Sequence, residues 1–309
     1  MPRRFLTLAW AATVCTYLLI VLGAVVRITG SGLGCGEHWP LCNGHLFPPL
    51  DDIGTVIEWS HRLAAALVTG LVVALAVYTW WYRVPSKLPY VATGLLALQI
   101  ALGAVTVKLA LPPWTVVLHL GTAMLLLATL LIIATSPRGL LSRLSSPPGP
   151  LSALRRGGTA VLIPLAFVTV LFGALTANLG AASACGGFPL CNGQVWTSAG
   201  PLAVVHWTHR LLAYSLTIVA AIWAARSRRT GPAVVLLMIV LQIIVGATMV
   251  LHGLPRALQA VHVAVGAAVW ASVVLASLFS LAPQNNEAPG LASPEPHADS
   301  REKPVSSSW

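Results

Sequence analysis

The sequence predicts an all-α membrane protein, with eight transmembrane helices arranged as two pseudo-symmetric four-helix bundles and both termini cytoplasmic. Three observations lead to this fold class. Of the 309 residues, 57% are hydrophobic and only 8% are charged, too few charges to cover a water-soluble globule. The apolar residues stand in long Leu-, Ala- and Val-rich runs rather than in alternating strand patterns. Motifs of the first half also return in the second half.

The apolar runs set the number of spans. A spanning helix needs about 20 mostly apolar residues. Eight segments meet this length: 5–26, 57–81, 90–109, 114–135, 159–178, 202–225, 232–251 and 257–281. Arg3 and Arg4 precede the first segment, as in a signal peptide, but its apolar run exceeds a signal core of about 7–15 residues. We therefore expect the first segment to be a membrane span.

The basic residues predict the orientation of the chain. Thirteen of the 18 Lys and Arg residues fall on one side of the eight spans, and this side is expected to be cytoplasmic. Loops 28–56 and 179–201 would then be extracytoplasmic. The net charge of +10 is explained by this bias, so it indicates no nucleic-acid partner. The expected location is the cytoplasmic (inner) membrane of a bacterium, in contact with its lipids.

Composition also predicts the domain organisation. Residues 1–135 form the N-terminal four-helix half, and 159–283 form the C-terminal half. Between them, 136–158 is rich in Pro, Gly, Ser and Arg and is predicted to be a cytoplasmic linker. The tail 284–309 is rich in Pro, Ser and acidic residues and is predicted to be disordered.

An internal repeat relates the two halves. Four motifs occur twice in the same order: PLCNG at 40–44 and 189–193, His-Arg-Leu at 61–63 and 209–211, Leu-Gln-Ile at 98–100 and 241–243, and a histidine at 119 and 262. Each half has an even number of spans, so both insert in the same direction. The expected relation is a pseudo-two-fold axis along the membrane normal.

Four histidines fall at one predicted membrane level. His61, His119, His209 and His262 each lie within about 12 Å of the outer end of their helix, at 1.5 Å per residue. Ionisable groups at this depth usually mark a functional site. Two imidazoles on facing helices suit the two axial positions of a haem iron, so each half is predicted to bind one haem. Interfacial histidines without a ligand, or a zinc or copper site, are the alternatives.

The halves differ at one position of functional interest. Glu58 precedes His61 by three residues, whereas His206 precedes His209. Because residues three apart share a helix face, only the first half has a carboxyl group beside its histidine. It can move protons or stabilise developing positive charge, although a simple ion pair with Arg62 is the alternative. Arg62 and Arg210 are candidates for binding haem propionates, with interfacial snorkelling as the alternative.

Four cysteines lie in the two outer loops. Cys35 and Cys42 are in the first loop, and Cys185 and Cys191 are in the second. The outer side of a bacterial inner membrane is oxidising, so intraloop disulfides Cys35–Cys42 and Cys185–Cys191 are expected, with cross-loop pairing left open. They would hold the loops over the bundles or take part in redox exchange. A zinc site on the first loop is a weaker alternative.

The combination of these features closely resembles the heme A synthase family. It is carried by the two four-span repeats, residues 58–62 (EWSHR), His119, His209, His262 and the paired loop cysteines, and it extends over residues 5–281. The resemblance implies an enzyme that oxidises the C8 methyl group of heme O to a formyl group, giving heme A for terminal oxidases. The oxidation would proceed in steps through a hydroxylated methyl group.

The resemblance also implies roles for individual residues. The substrate haem would bind in the N-terminal half on His61 and His119, with Glu58 as a catalytic residue. A haem b cofactor would bind in the C-terminal half on His209 and His262. Heme O synthase, oxidase assembly factors and an electron donor are the partners expected for such an enzyme. A two-haem electron-transfer subunit and a haem transporter are the rival functions.

Overall fold

Eight α-helices make up the fold. A computed structural model describes residues 3–49, 51–135, 150–196, 199–227 and 229–281, with the backbone alone for 150–158 and 281. The helices are α1 (Arg3–Thr29), α2 (Ile53–Trp81), α3 (Leu88–Lys108), α4 (Pro113–Thr135), α5 (Pro150–Asn178), α6 (Pro201–Ser227), α7 (Thr230–Leu251) and α8 (Arg256–Leu281). No strand occurs in these ranges, which confirms the all-helical fold class.

The helices agree with the predicted spans. Among the described residues, seven helices are long and apolar enough to cross a membrane. The remaining one, α6, has 27 residues but is less apolar, because it carries His206, His209 and Arg210. Helix α5 begins at Pro150 and so includes the last part of the predicted linker. The rest of that linker and the tail 284–309 lie outside the described residues.

The eight helices form two rings of four. In the N-terminal half, each of α1 to α4 packs on the next, and α4 returns to α1. The same pattern joins α5 to α8 in the C-terminal half. The halves meet through α1, α4, α5 and α8. This arrangement agrees with one four-helix bundle per half. The two-fold axis and the cytoplasmic location of both termini remain predictions.

Buried apolar side chains hold the two halves together. One cluster fills the interface and the C-terminal half, and a second fills the N-terminal half. At the interface, the buried indole N–H of Trp270 on α8 donates to the carbonyl of Met124 on α4 at 2.8 Å. The hydroxyl of Tyr17 on α1 donates to the carbonyl of Ala264 on α8 at 2.9 Å. A polar group within a bilayer needs such a partner, because no water is available there.

Candidate haem-binding sites

Each of the four candidate haem-binding histidines lies against a glycine of the preceding helix. The pairs, with the distance from an ideal Cβ on the glycine to the nearest imidazole atom, are Gly23 and His61 (3.2 Å), Gly103 and His119 (3.2 Å), Gly173 and His209 (2.9 Å), and Gly246 and His262 (2.9 Å). Any larger residue would push the imidazole away. The four glycines therefore make the space in which the rings lie, a role that was not predicted from the sequence.

Each ring of four helices has one histidine on each of two helices that are not neighbours in the ring. These are His61 on α2 and His119 on α4 in the N-terminal half, and His209 on α6 and His262 on α8 in the C-terminal half. All four side chains are half-buried. That the two imidazoles of each half face one site stays a prediction.

The hydrogen bond of His209 defines which of its nitrogens is free to bind a metal. Its Nδ1 lies 3.1 Å from the carbonyl oxygen of Thr169 on α5. A carbonyl can only accept, so Nδ1 carries the proton and the lone pair is on Nε2. This is the usual second interaction of a metal-binding histidine, because it fixes both the tautomer and the ring orientation.

His119 and His262 share a different arrangement. The side-chain amide of Gln99 on α3 donates to Nε2 of His119 at 3.1 Å, and that of Gln242 on α7 donates to Nε2 of His262 at 3.2 Å. In both pairs, the imidazole Nδ1 and the amide Oε1 are buried and have no hydrogen-bond partner among the described residues. These glutamines belong to a repeated motif, but their partners were not predicted from the sequence.

Glu58 is buried near the N-terminal end of α2, with only 4% of its surface exposed. Its Oε2 accepts the backbone N–H of Cys35 at 2.7 Å, and its Oε1 forms an ion pair with Nη2 of Arg62 at 2.6 Å. The ion pair considered from the sequence is thus present. It lies one helical turn from His61, so it is compatible with a chemical role.

The remaining contacts of Arg62 are with the first outer loop. Its Nη1 donates to the carbonyls of His38 at 2.8 Å and Leu41 at 2.6 Å. Arg62 therefore holds the loop on α2 while it neutralises Glu58. The contact with a haem propionate stays a prediction.

The C-terminal half repeats this arrangement without the carboxylate. His206, at the position of Glu58, donates from Nδ1 to the carbonyl of Ala181 at 3.1 Å and accepts from Nε of Arg210 at 3.2 Å. Arg210 also donates to three carbonyls of the second loop, those of Cys185, Gly187 and Leu190. Both arginines thus connect a helix that carries a candidate haem ligand to the loop beside it.

The two outer loops are each closed by a disulfide bond, Cys35–Cys42 and Cys185–Cys191, as expected within the loops. These four cysteines are buried. The zinc alternative for the first loop is not supported, because its cysteines are paired with each other. In the described ranges, no group of three or more His, Cys, Asp or Glu residues could hold a metal ion.

The first loop is also anchored where it enters α2. The Asp52 carboxylate caps this helix by accepting the backbone N–H of Thr55 at 2.7 Å, which lowers the pKa of the Asp52 carboxyl. The Thr55 hydroxyl donates to the carbonyl of Gly34 at 2.8 Å. A Cβ on Gly34 would collide with the backbone of Gly54, so this close approach requires glycine.

The described side chains fit two bis-histidine haem sites. Each half offers two imidazoles on different helices and glycines that make space for them. Uncharged imidazoles in such pairs are suitable axial ligands for haem iron. The carboxylate of Glu58 is the main chemical difference between the two sites.

Similarity to known proteins extends over most of the chain. The model of a protein family described as cytochrome oxidase assembly protein (COX15-CtaA) matches residues 6–53 and 52–274. The heme A synthase of Shouchella clausii is 32% identical over 226 residues, which are 69% of this chain and 74% of that protein. The heme A synthase of Bacillus licheniformis is 30% identical over 264 residues, 81% and 87% of the two chains. That of Symbiobacterium thermophilum is 31% identical over 279 residues, 84% and 90%.

Proposed function

The chain belongs to the cytochrome oxidase assembly (COX15-CtaA) family, and we propose that it acts as a heme A synthase. It is a multi-pass membrane oxidoreductase that oxidises the C8 methyl group of heme O to a formyl group. The observation that carries the proposal is the buried carboxylate of Glu58, which lies one helical turn from His61 on the same helix. The family match over most of the chain supports the same activity.

We assign the roles of the two sites from the carboxylate of Glu58, which only the N-terminal half has. In the N-terminal half, His61 and His119 bind the iron of the substrate, heme O. In the C-terminal half, His209 and His262 bind a haem b, which supplies one-electron oxidation and reduction when bound. The hydrogen bond from His209 to Thr169 keeps Nε2 of that ligand unprotonated.

Glu58 acts on the substrate through its charge and its proton capacity. A carboxylate near the methyl group can accept a proton released during oxidation or stabilise positive charge that develops on the carbon. Cys35 and Arg62 hold the Glu58 side chain in place. His206 cannot supply a negative charge at the same place in the second half.

The outer loops close the sites from the extracytoplasmic side. Arg62 and Arg210 bind loop carbonyls, and the disulfides limit how far each loop can open. Substrate therefore enters laterally, from the membrane, and reaches the space between α2 and α4. Heme O is too apolar to diffuse through water, so direct transfer from a heme O synthase is part of this proposal, as is delivery of heme A to oxidase assembly factors.

The test is the haem composition of membranes with and without the chain. Bacteria that make heme O but lack this activity should gain heme A when the full-length protein is expressed. An unchanged haem composition with altered rates of haem reduction would contradict the proposal and support an electron-transfer subunit instead.

A further inference from the structure

The two histidine–glutamine pairs differ in one hydrogen bond. The amide of Gln242 donates both to Nε2 of His262 and to the backbone carbonyl of His262, the second at 2.9 Å. The amide of Gln99 donates to Nε2 of His119, and no other partner of this amide is found in the described part of the chain. Gln99 thus depends on the imidazole for its only hydrogen bond there, whereas Gln242 does not.

We propose that Gln99 competes with iron for His119, and that this competition makes the N-terminal site the exchangeable one. The inference rests on the proposed function, in which His119 binds the substrate iron. The glutamine at the matching position, Gln242, offers much weaker competition at His262. Gln99 is then a positioning residue, because it acts through His119.

The amide and the iron compete for one lone pair on the imidazole. A neutral imidazole that accepts a hydrogen bond at Nε2 offers the same lone pair that iron would take. Iron binding at Nε2 therefore has to replace the bond from the glutamine amide. The free-energy cost of losing that bond depends on what the amide retains afterwards, since a buried polar group without a partner is unfavourable.

The free-energy cost of losing the glutamine hydrogen bond differs between the two halves. When His262 binds iron, the Gln242 amide keeps the backbone carbonyl of the same residue. When His119 binds iron, the Gln99 amide loses its partner, and the Gln99 Oε1 is already buried without one. Iron binding is therefore opposed more strongly at His119 than at His262.

The stronger opposition to iron binding at His119 suits a substrate site, and the weaker opposition at His262 suits a cofactor site. A site that takes up heme O and releases heme A must bind its haem reversibly, whereas a cofactor site must retain it. An amide that returns to Nε2 of His119 favours release of the product, because it restores a hydrogen bond as the iron leaves.

The experiment measures haem affinity and needs no turnover. Full-length protein in lipid nanodiscs is titrated with ferric haem b as the probe, and binding is followed by absorbance. The N-terminal component is the one that His119→Ala removes. Gln99→Leu keeps an apolar side chain of similar size but cannot donate, so the dissociation constant of this component should fall about two- to tenfold, the range of one net hydrogen bond. Gln99→Ala should change it in the same direction.

Gln242→Leu is the matched control. It should change the affinity of the C-terminal component less than Gln99→Leu changes that of the N-terminal one. The low-spin spectrum of the C-terminal haem reports correct folding in the Gln99 variants. An unchanged or weaker N-terminal affinity in both Gln99 variants would overturn the inference but not the proposed function. If His119→Ala removes no component from the wild-type titration, both are wrong.

Discussion

The backbone N–H of Cys35 donates a 2.7 Å hydrogen bond to Oε2 of Glu58. The carboxylate on α2 is thereby connected to a loop that the Cys35–Cys42 disulfide closes. Arg62 completes the connection, because it pairs with Glu58 and binds carbonyls of the same loop. The position of Glu58 is thus determined by the outer loop as much as by its own helix.

The first prediction concerns the charge of Glu58. Glu58→Gln keeps the size of the side chain and an oxygen that can accept the N–H of Cys35, so the fold and the C-terminal haem b should be retained. Heme A formation should fall at least about tenfold, or ~1.4 kcal/mol in the barrier, because the charge and the proton capacity are lost. Haem extraction from membranes measures the result, with heme O or a partly oxidised haem accumulating.

His206→Gln is the matched control for this variant, since it changes the corresponding position of the other half. It should reduce heme A formation much less. Normal heme A output from Glu58→Gln would disprove the catalytic role while leaving the haem ligands as assigned.

The second prediction concerns the C-terminal ligands. His209→Ala or His262→Ala should remove most of the stably bound haem b, because loss of one axial imidazole leaves the iron incompletely coordinated. The absorbance spectrum of the purified protein measures this. Retention of a six-coordinate low-spin spectrum in both variants would show that other residues bind the iron.

The third prediction concerns the glycines beside the imidazoles. Gly173→Ala and Gly246→Ala each place a Cβ 2.9 Å from a histidine ring, so the ring must move away from its position. We expect reduced haem b content and a loss of stability of about 1–3 kcal/mol from overpacking. Haem-to-protein ratio and thermal unfolding in detergent measure the two effects.

Gly70 and Gly94 provide the controls, because a Cβ on either would meet nothing within 4 Å. Their substitution by Ala should leave the haem content unchanged and should alter stability by at most about 1 kcal/mol, towards greater stability. Equal haem loss in all four variants would mean that contact with the histidines is not what matters.

The fourth prediction concerns the cysteines. The chain has five, of which Cys15 on α1 is free. Maleimide labelling in denaturing detergent should therefore modify one cysteine per chain without reduction and all five after reduction. Mass spectrometry counts the labels. Modification of more than one cysteine in unreduced membranes would mean that a loop disulfide is open in the resting protein.

The fifth prediction concerns orientation in the membrane. Reporter fusions within 136–158 and after residue 284 should report the cytoplasm, and those within 28–56 and 179–201 should report the outside, because the Lys and Arg bias determines the topology. Activity of a cytoplasmic reporter inserted in 179–201 would contradict the parallel orientation of the two halves.

Much of the fold was predictable because it depends on local properties of the sequence. Seven helices are continuous apolar runs, and they lie where the sequence predicted spans. His61 and His209 hold the same position in their helices, which begin at Ile53 and Pro201. Their common level in the membrane stays a prediction. The helical start at Pro150 was missed, because Pro, Gly and Arg in that region are more typical of a linker.

The side-chain partners were less predictable, because they depend on how neighbouring helices are rotated and how closely they approach. Gln99 and Gln242 were visible as a repeat, but the sequence does not show that each faces a histidine twenty residues further along the chain. Likewise, the loop carbonyls bound by Arg62 are backbone atoms without any sequence signature. Gly103 and Gly246 occur beside the same repeat, and this repeated position is the signal that could have indicated their contact with the histidines.

The contact between the halves has a consequence for how such a protein can change over time. Each half presents its first and fourth helices, α1 with α4 and α5 with α8, to the other. A surface of this kind lets two copies of one four-helix unit pair with each other, as subunits of a homodimer do. Once the copies are joined in one chain, their association no longer depends on concentration. Each copy is then free to accumulate its own substitutions, and Glu58 in one half against His206 in the other is one such difference.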